Sequence, residues 1–373
     1  MTRRVRVGVF AGGRSAEHEV SVSSAETVIR AIDRDRFEPY LVYIDREGRW
    51  HLPEGPAALD DRPLAELVGT RTPAQLTTRD GGEPAAREVA DAGALQPRAA
   101  LRSLAEAIDV AFLAMHGPFG EDGTLQGFLE LAGIPYTGAR VLASAVAMDK
   151  VVFKDLMRGH GLPVCRYLWF SRGRWTADPP AVLREIAAEL GRRSVVKPAR
   201  LGSSVGMTLV HAPEELPAAL DEAFRHDSKA IVEEYVAGAR ELECGVLGAD
   251  DAIAFEPGEI VSHNEFYDYE AKYVPGLAEV VPRAEIDPRL SERLRELSLA
   301  AYRAVDCSGM ARVDFLVPDG GVFISEMNTI PGFTATSMFP KQAELAGLTL
   351  PRLIQRLIEL ALERGASRPD EGR

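Results

Sequence analysis

The sequence predicts an α/β and α+β protein in several parts, an N-terminal parallel α/β domain followed by two α+β segments. Three observations carry this. The chain has 373 residues, beyond the ~100 to 200 of a usual single domain. Its start reads strand, helix, strand. Its second half carries short β-rich runs divided by Gly- and Pro-containing turns.

Val5, Val7 and Val9 alternate as on a half-buried strand that runs into the turn Gly12-Gly13. Ser23 and Glu26 have capping-box spacing and are expected to open a helix bearing Val28, Ile29 and Ile32. Tyr40 to Ile44 is the next β-rich run, which makes a parallel unit. Residues from about 54 to 100, rich in Ala, Pro, Arg and Gly, read as a surface excursion with no assigned role. Ile108 to Met115 then form an apolar run suited to a strand covered on both faces, ending at His116-Gly117-Pro118.

A helix around Met148 to Met157 stops at Gly159, Gly161 and Pro163. Strands are expected at Ser194 to Lys197 and Ala230 to Tyr235, and an amphipathic helix from Pro351 to Arg364 closes the chain. The domains are set at 1–145, 146–243 and 244–373.

Composition narrows the function. Hydrophobic residues at 46% and charged ones at 27% are those of a folded globular chain. A formal net charge of -13 excludes broad attachment to nucleic acid or an anionic membrane, so any anionic ligand must meet a locally positive pocket. Cys165, Cys244 and Cys307 form no paired framework, no run reaches the ~18 apolar residues of a membrane span, and the N-terminal apolar stretch is broken before a signal-peptide core forms. A cytoplasmic protein is expected.

Two patterns carry chemistry. Arg312-Val313-Asp314 and Glu326-Met327-Asn328 flank the turn Pro318-Asp319-Gly320-Gly321. Side chains on strands repeat every two residues, so Arg312 and Asp314 share one face of their strand, and Glu326 and Asn328 one face of theirs. Two carboxylates and an amide oxygen suit magnesium; a solvated polar hairpin has the same spacing. The second pattern, Lys197-Pro198-Ala199-Arg200-Leu201-Gly202-Ser203-Ser204-Val205-Gly206-Met207, puts a lysine at a strand end before a loop of small residues. Such a loop lets backbone N–H groups approach an anion. It is not a Walker loop, and a flexible surface loop is the alternative.

Several motifs in order then resemble the D-alanine–D-alanine ligases: Ser15-Ala16-Glu17, Glu19-Val20-Ser21, His116-Gly117-Pro118, Gly120-Glu121-Asp122-Gly123-Thr124, Met148-Asp149-Lys150, the Lys197 to Met207 loop, Tyr267 to Tyr273, and Asn328-Thr329-Ile330-Pro331-Gly332-Phe333-Thr334. The resemblance spans nearly the whole chain outside the excursion near 54–100. It implies an N-terminal α/β substrate-binding domain followed by an ATP-grasp fold, with ATP between a central and a C-terminal, catalytic subdomain. It implies that Lys150, Lys197 and Lys272 contact phosphates, that Glu233, Val236 and Glu241 hold adenine and ribose, and that Asp314, Glu326 and Asn328 bind two magnesium or manganese ions. Glu234 stands where many relatives have lysine.

The implied reaction joins two D-alanines through an acyl phosphate, for cell-wall peptidoglycan. Glu17 would hold the first ammonium, Ser337 the second carboxylate, Arg312 and the Gly332 N–H the oxyanion, and Ser203 and Tyr273 would link to Glu17. Arg312 could instead serve a structural ion pair, and the resemblance favours the oxyanion. His116 is expected to support the site without an acid–base step, and Tyr273 favours dipeptide over ester. A homodimer is expected. Other readings are an ATP-grasp ligase using D-lactate or D-serine, a dinucleotide oxidoreductase, disfavoured because Gly-x-Gly-x-x-Gly is missing, and a non-catalytic nucleotide-binding module.

Overall fold

The computed structural model describes residues 3–52, 55–57, 59, 62–70, 103–262 and 278–366. Lys272, Tyr273, the motif around them and most of the 54–100 excursion lie outside these residues; Ala57 and Leu64, from its described part, are buried in the core rather than on the surface.

The first sheet has the order β3-β2-β1-β4. Strands β1 (Val5–Gly12), β2 (Phe37–Ile44) and β4 (Val110–Leu113) are parallel, and β3 (Trp50–His51) is an antiparallel edge. The expected alternation in the first strand is not what folds: Val7 to Gly12 are buried without interruption. A parallel strand between neighbours on both edges and layers on both faces has no solvent side.

Helix α1 (His18–Ala31) begins five residues before the expected capping box. Ser23 lies within it, while Glu26 accepts from Arg30 and from the Leu64 N–H. The turn before α1 is tied instead by Ser21 Oγ, which accepts the Gly12 N–H at 2.8 Å. Gly12 has φ 89°, and a Cβ there would lie 2.1 Å from the Ile44 carbonyl oxygen, so only glycine fits.

The closing helix, Leu350–Ala366, packs against β4 and α1 through the face read from its periodicity. Leu353, Ile354, Leu357 and Ile358 are fully buried, each contributing on the order of 1.5–3 kcal/mol.

The expected helix over Met148–Met157 is two helices, α2 (Val141–Met148) and α3 (Lys150–Gly159), broken at Asp149. The Asp149 carboxylate accepts from the N–H groups of Val151 and Val152 and so caps α3, which puts Lys150 at its first turn. The second sheet, β5-β8-β6-β7, is antiparallel: β5 (Tyr167–Ser171), β6 (Ser194–Pro198), β7 (Thr208–Val210) and β8 (Lys229–Glu234). Helices α4 (Pro179–Leu190) and α5 (Leu216–His226) cover one face through Val182, Ile186, Leu220 and Phe224. Lys197 and Glu233 stand on the other face.

The third sheet follows β12-β11-β9-β13-β14, with β10 (Ile253–Ala254) beside β9. It comprises β9 (Arg240–Gly248), β11 (Gly258–Ser262), β12 (Ala278–Val281), β13 (Gly309–Val317) and β14 (Phe323–Asn328), all antiparallel. Leu242, Cys244, Val246, Ala311, Val313 and Phe315 face a core shared with α6 (Pro288–Ala304). Among the alternate positions Glu241, Glu243, Arg312 and Asp314 form the floor of the site.

Candidate active site

A cleft of about 290 Å³ lies between the second and third sheets and is lined by Lys150, Lys197, Glu233, Val236, Glu241, Glu243, Arg312, Asp314 and Glu326, together with the loop Leu201–Val205. Strand register builds its floor. Arg312 stands opposite Asn328, and Asp314 stands between Glu243 of β9 and Glu326 of β14. Alternation alone does not produce this face. The register shifts after Asp314, so Phe315 pairs with Ile324, and the extra residue Ser325 lets Ile324 and Met327 both be buried while Glu326 and Asn328 point to the cleft.

Arg312 is gripped from two strands. Its Nε and Nη2 donate to the two carboxylate oxygens of Asp314 at 2.7 Å each, and Nε also lies 3.1 Å from Glu243 Oε2. Burial opposes its charge, but Asp314 and Glu243 outweigh burial and hold the guanidinium's pKa well above its ordinary value. Asn328 Nδ2 donates to Asp314 at 2.8 Å. Both readings of Arg312, ion pair and reactive cation, therefore rest on one arrangement, since the ion pair fixes where the charge points.

Two lysines reach the same cleft. Lys150 Nζ donates to the Leu201 carbonyl at 2.9 Å and lies 3.0 Å from Glu326 Oε2, bridging the loop to the floor. Lys197 Nζ donates to Glu233 Oε2 at 2.8 Å. Beneath it Lys154, fully buried, contacts the other oxygen of Glu233 at 3.2 Å. Burial alone would push the Glu233 carboxyl's pKa up, but Lys154 and Lys197 together hold it down to about 2. For Lys197 burial is likewise outweighed, by Glu233 and Glu326, and its pKa is raised. Glu234 accepts from the Arg166 N–H at 2.7 Å and from its Nε at 2.8 Å.

The loop after Lys197 closes over the N-terminal domain. Ser203 and Ser204 take left-handed φ of 51° and 57°, an arrangement that costs roughly 1–2 kcal/mol per residue outside glycine and persists where surrounding contacts impose it. One such contact is Ser203 Oγ donating to Glu17 Oε1 at 2.5 Å. Glu17 Oε2 sits between two glycines, and a Cβ at Gly117 or Gly202 would come within 3.0 Å of it. The side chain is thus reached from two segments distant in sequence, around Gly117 and at Gly202-Ser203. On the far side Ser337 Oγ accepts the Thr334 N–H at 3.1 Å, and a Cβ at Gly332 would lie 2.8 Å from that oxygen. Lys272 and Tyr273 fall outside the described residues.

Four neighbours were given no such part by the sequence reading: Lys154, Glu243, Glu121 and Ser24. Glu121 is quoted within the glycine-rich motif after His116, but its state comes from surroundings. Burial first, then the carboxylates of Glu17 and Glu326, push its carboxyl up to about 8. His116 is also buried. Its pKa is lowered by burial, which outweighs the carboxylate of Glu17.

Two sheets closing on a nucleotide-sized cleft, with lysines on one wall and an acidic strand pair on the other, are the frame of the ATP-grasp ligases. Solved relatives share it across the chain. The D-alanine-D-alanine ligase from Coxiella burnetii aligns with TM-score 0.76 at 33% identity, covering 97% of this chain and 95% of that one. The VanG D-Ala:D-Ser ligase from Enterococcus faecalis gives 0.75 at 32%, covering 96% and 100%. The Bacillus anthracis D-alanine–D-alanine ligase, in complex with ATP, gives 0.72 at 30%, covering 98% and 99%. The family profile described as D-ala D-ala ligase N-terminus matches residues 6–139, and that described as D-ala D-ala ligase C-terminus matches residues 156–359. The D-alanine–D-alanine ligase A of Chromobacterium violaceum is 46% identical over 366 residues, 97% of this chain and 96% of its own. That of Deinococcus radiodurans is 45% identical over 364 residues, 96% and 98%. The chain belongs to the D-alanine–D-alanine ligase family.

Proposed function

We propose that this protein joins two D-alanines into D-alanyl-D-alanine for peptidoglycan precursors, using ATP and passing through an acyl phosphate. The convergence of Arg312, Asp314, Glu326 and Asn328 on one polar face, opposite Lys150 and Lys197, is the observation that carries this reading. A carboxylate is a poor acyl donor because its oxygen leaves badly. Phosphorylation supplies a good leaving group, and the second amine then attacks.

Each residue has a part. Lys150, Lys197 and Lys272 hold phosphates, and Glu233, Val236 and Glu241 hold adenine and ribose. Glu17, fixed by Ser203, takes the ammonium of the first D-alanine, Tyr273 is assigned to the same network, and Ser337 takes the carboxylate of the second. Arg312 and the Gly332 N–H receive the negative charge that develops on the carbonyl oxygen.

The donor set Asp314, Glu326 and Asn328, two carboxylates and an amide, fits hard divalent cations such as magnesium or manganese, two of them. Among the described residues no group of three or more His, Cys, Asp or Glu side chains is placed to hold a metal ion, and the proposed set relies on the Asn328 amide as its third donor. Such ions would neutralise phosphate charge. The working unit is a homodimer in the cytoplasm, where ATP is available. Among the described residues no helix is long and apolar enough to cross a membrane.

The test mixes protein, ATP, magnesium and D-alanine and measures phosphate and dipeptide together, expected in equal amounts. Release of phosphate without dipeptide, or none that depends on D-alanine, rejects the reading. D-serine or D-lactate offered beside D-alanine checks the acceptor; dominant mixed dipeptide or ester would reassign it. Glu326→Gln is expected to raise the magnesium concentration for half-maximal rate by about tenfold or more, and an unchanged magnesium titration removes Glu326 from the ligand set.

A further inference from the structure

The short segment Ile330–Phe333 enters the site as bare backbone, and two buried side chains from the N-terminal domain hold its ends. Ser24, on α1 and fully buried, has its Oγ 3.2 Å from the Phe333 nitrogen and 3.2 Å from His116 Nε2. His116 Nδ1 lies 3.0 Å from the Ile330 carbonyl oxygen.

With the His116 ring neutral, only one assignment of protons satisfies all three contacts. A carbonyl only accepts, so Nδ1 carries the proton. In the neutral ring Nε2 must then accept, and its donor is the Ser24 hydroxyl. The remaining lone pairs of that hydroxyl take the Phe333 N–H. Donors and acceptors run in one direction, from Phe333 N–H through Ser24 and His116 to the Ile330 carbonyl.

Between the two ends of this chain of contacts lie only Pro331 and Gly332. The segment is confined elsewhere too. The Phe333 ring packs edge-on against Phe112 at 5.5 Å, Ser337 Oγ crowds Gly332, and Ser15 Oγ donates to the His116 carbonyl at 2.8 Å.

We propose that Ser24 and His116 are positioning residues that clamp the 330–333 backbone and so aim the Gly332 N–H at the oxygen on which charge develops. The inference rests on the reading of Gly332 as an oxyanion donor. A hydrogen-bond donor helps only if its direction is set before charge appears, which requires both flanks of the peptide to be fixed.

The full-length protein and its Ser24→Ala and Ser24→Cys variants supply the test. Cysteine keeps the side chain's size while weakening both hydrogen bonds. Two quantities are read: amide hydrogen exchange of the 330–334 segment, and kcat against KM for ATP. Exchange is expected to accelerate and kcat to fall by about tenfold or more, with KM for ATP within about twofold, because the nucleotide walls are untouched. The cysteine variant is expected between alanine and the unsubstituted protein, and it alone decides if the alanine variant does not fold. Unaltered exchange in the variants overturns the clamp. Faster exchange with unaltered kcat instead overturns Gly332 as a donor, and with it the clamp's use in catalysis.

Discussion

Arg312→Met is expected to lower kcat by about 10²- to 10³-fold, the usual result of removing one donor to a tetrahedral oxyanion. The guanidinium is held by both oxygens of Asp314 and by Glu243, so its free edge has little choice of direction. Methionine fills much of the same volume but leaves Asp314 and Glu243 facing each other across β13 and β9 without their shared cation. A stability loss of about 2 to 3 kcal/mol is expected alongside the kinetic effect. Arg312→Lys separates the two: one ammonium can neutralise the carboxylates but cannot reproduce the two-pronged contact. It is therefore expected to recover most of the stability and little of kcat. Steady-state kinetics with thermal melts on both variants check this. If Arg312→Lys recovered kcat in step with stability, Arg312 would be a structural ion-pair residue and the oxyanion would need another donor.

What could be read from the sequence here follows the range of the forces involved. Asp314, Glu326 and Asn328 fall on one face because strand periodicity is local, and their hairpin turn lies between them. Even so, the shift at Phe315 that lets Ile324 and Met327 both be buried has no local signature. Glu243 reaches Arg312 from a strand some seventy residues earlier, and no spacing rule connects them. Ser23 and Glu26 misled for a related reason: capping-box spacing appears inside a helix whenever the glutamate has other partners, here Arg30 and the Leu64 N–H. Lys154 is the clearest limit. A lysine four residues after Lys150 reads as the solvated side of a helix, and only the approach of Glu233 from β8 makes its burial tolerable. The motif resemblance named Lys197 and Glu233 as ligand contacts but could not show that they also contact each other.

That contact sets the second large effect. Glu233→Gln is expected to cost about 3 to 5 kcal/mol of stability at neutral pH, because it leaves the buried ammonium groups of Lys154 and Lys197 close together without the anion they share. The pH dependence distinguishes this from a packing defect. In the unsubstituted protein the Glu233 carboxyl drops from an ordinary 4.5 to about 2 on folding. A depressed carboxylate stabilises the folded state above its unfolded pKa and loses that contribution as pH falls through the folded one, here between about 4.5 and 2. The amount is about 3 kcal/mol. In the glutamine variant this acid-side loss is expected to vanish. Stability is expected instead to rise toward alkaline pH, as one lysine gives up a proton it can no longer hold. Denaturant unfolding of both proteins from pH 2 to 10 reads the two slopes, and matching profiles would remove Glu233 as their anion. The same pairing bears on turnover. With Lys154 permanently opposite Glu233, Lys197 can turn its charge to a phosphate without stranding a buried carboxylate. Lys154→Met should therefore hold Lys197 on Glu233 and weaken ATP binding while leaving the D-alanine contacts intact.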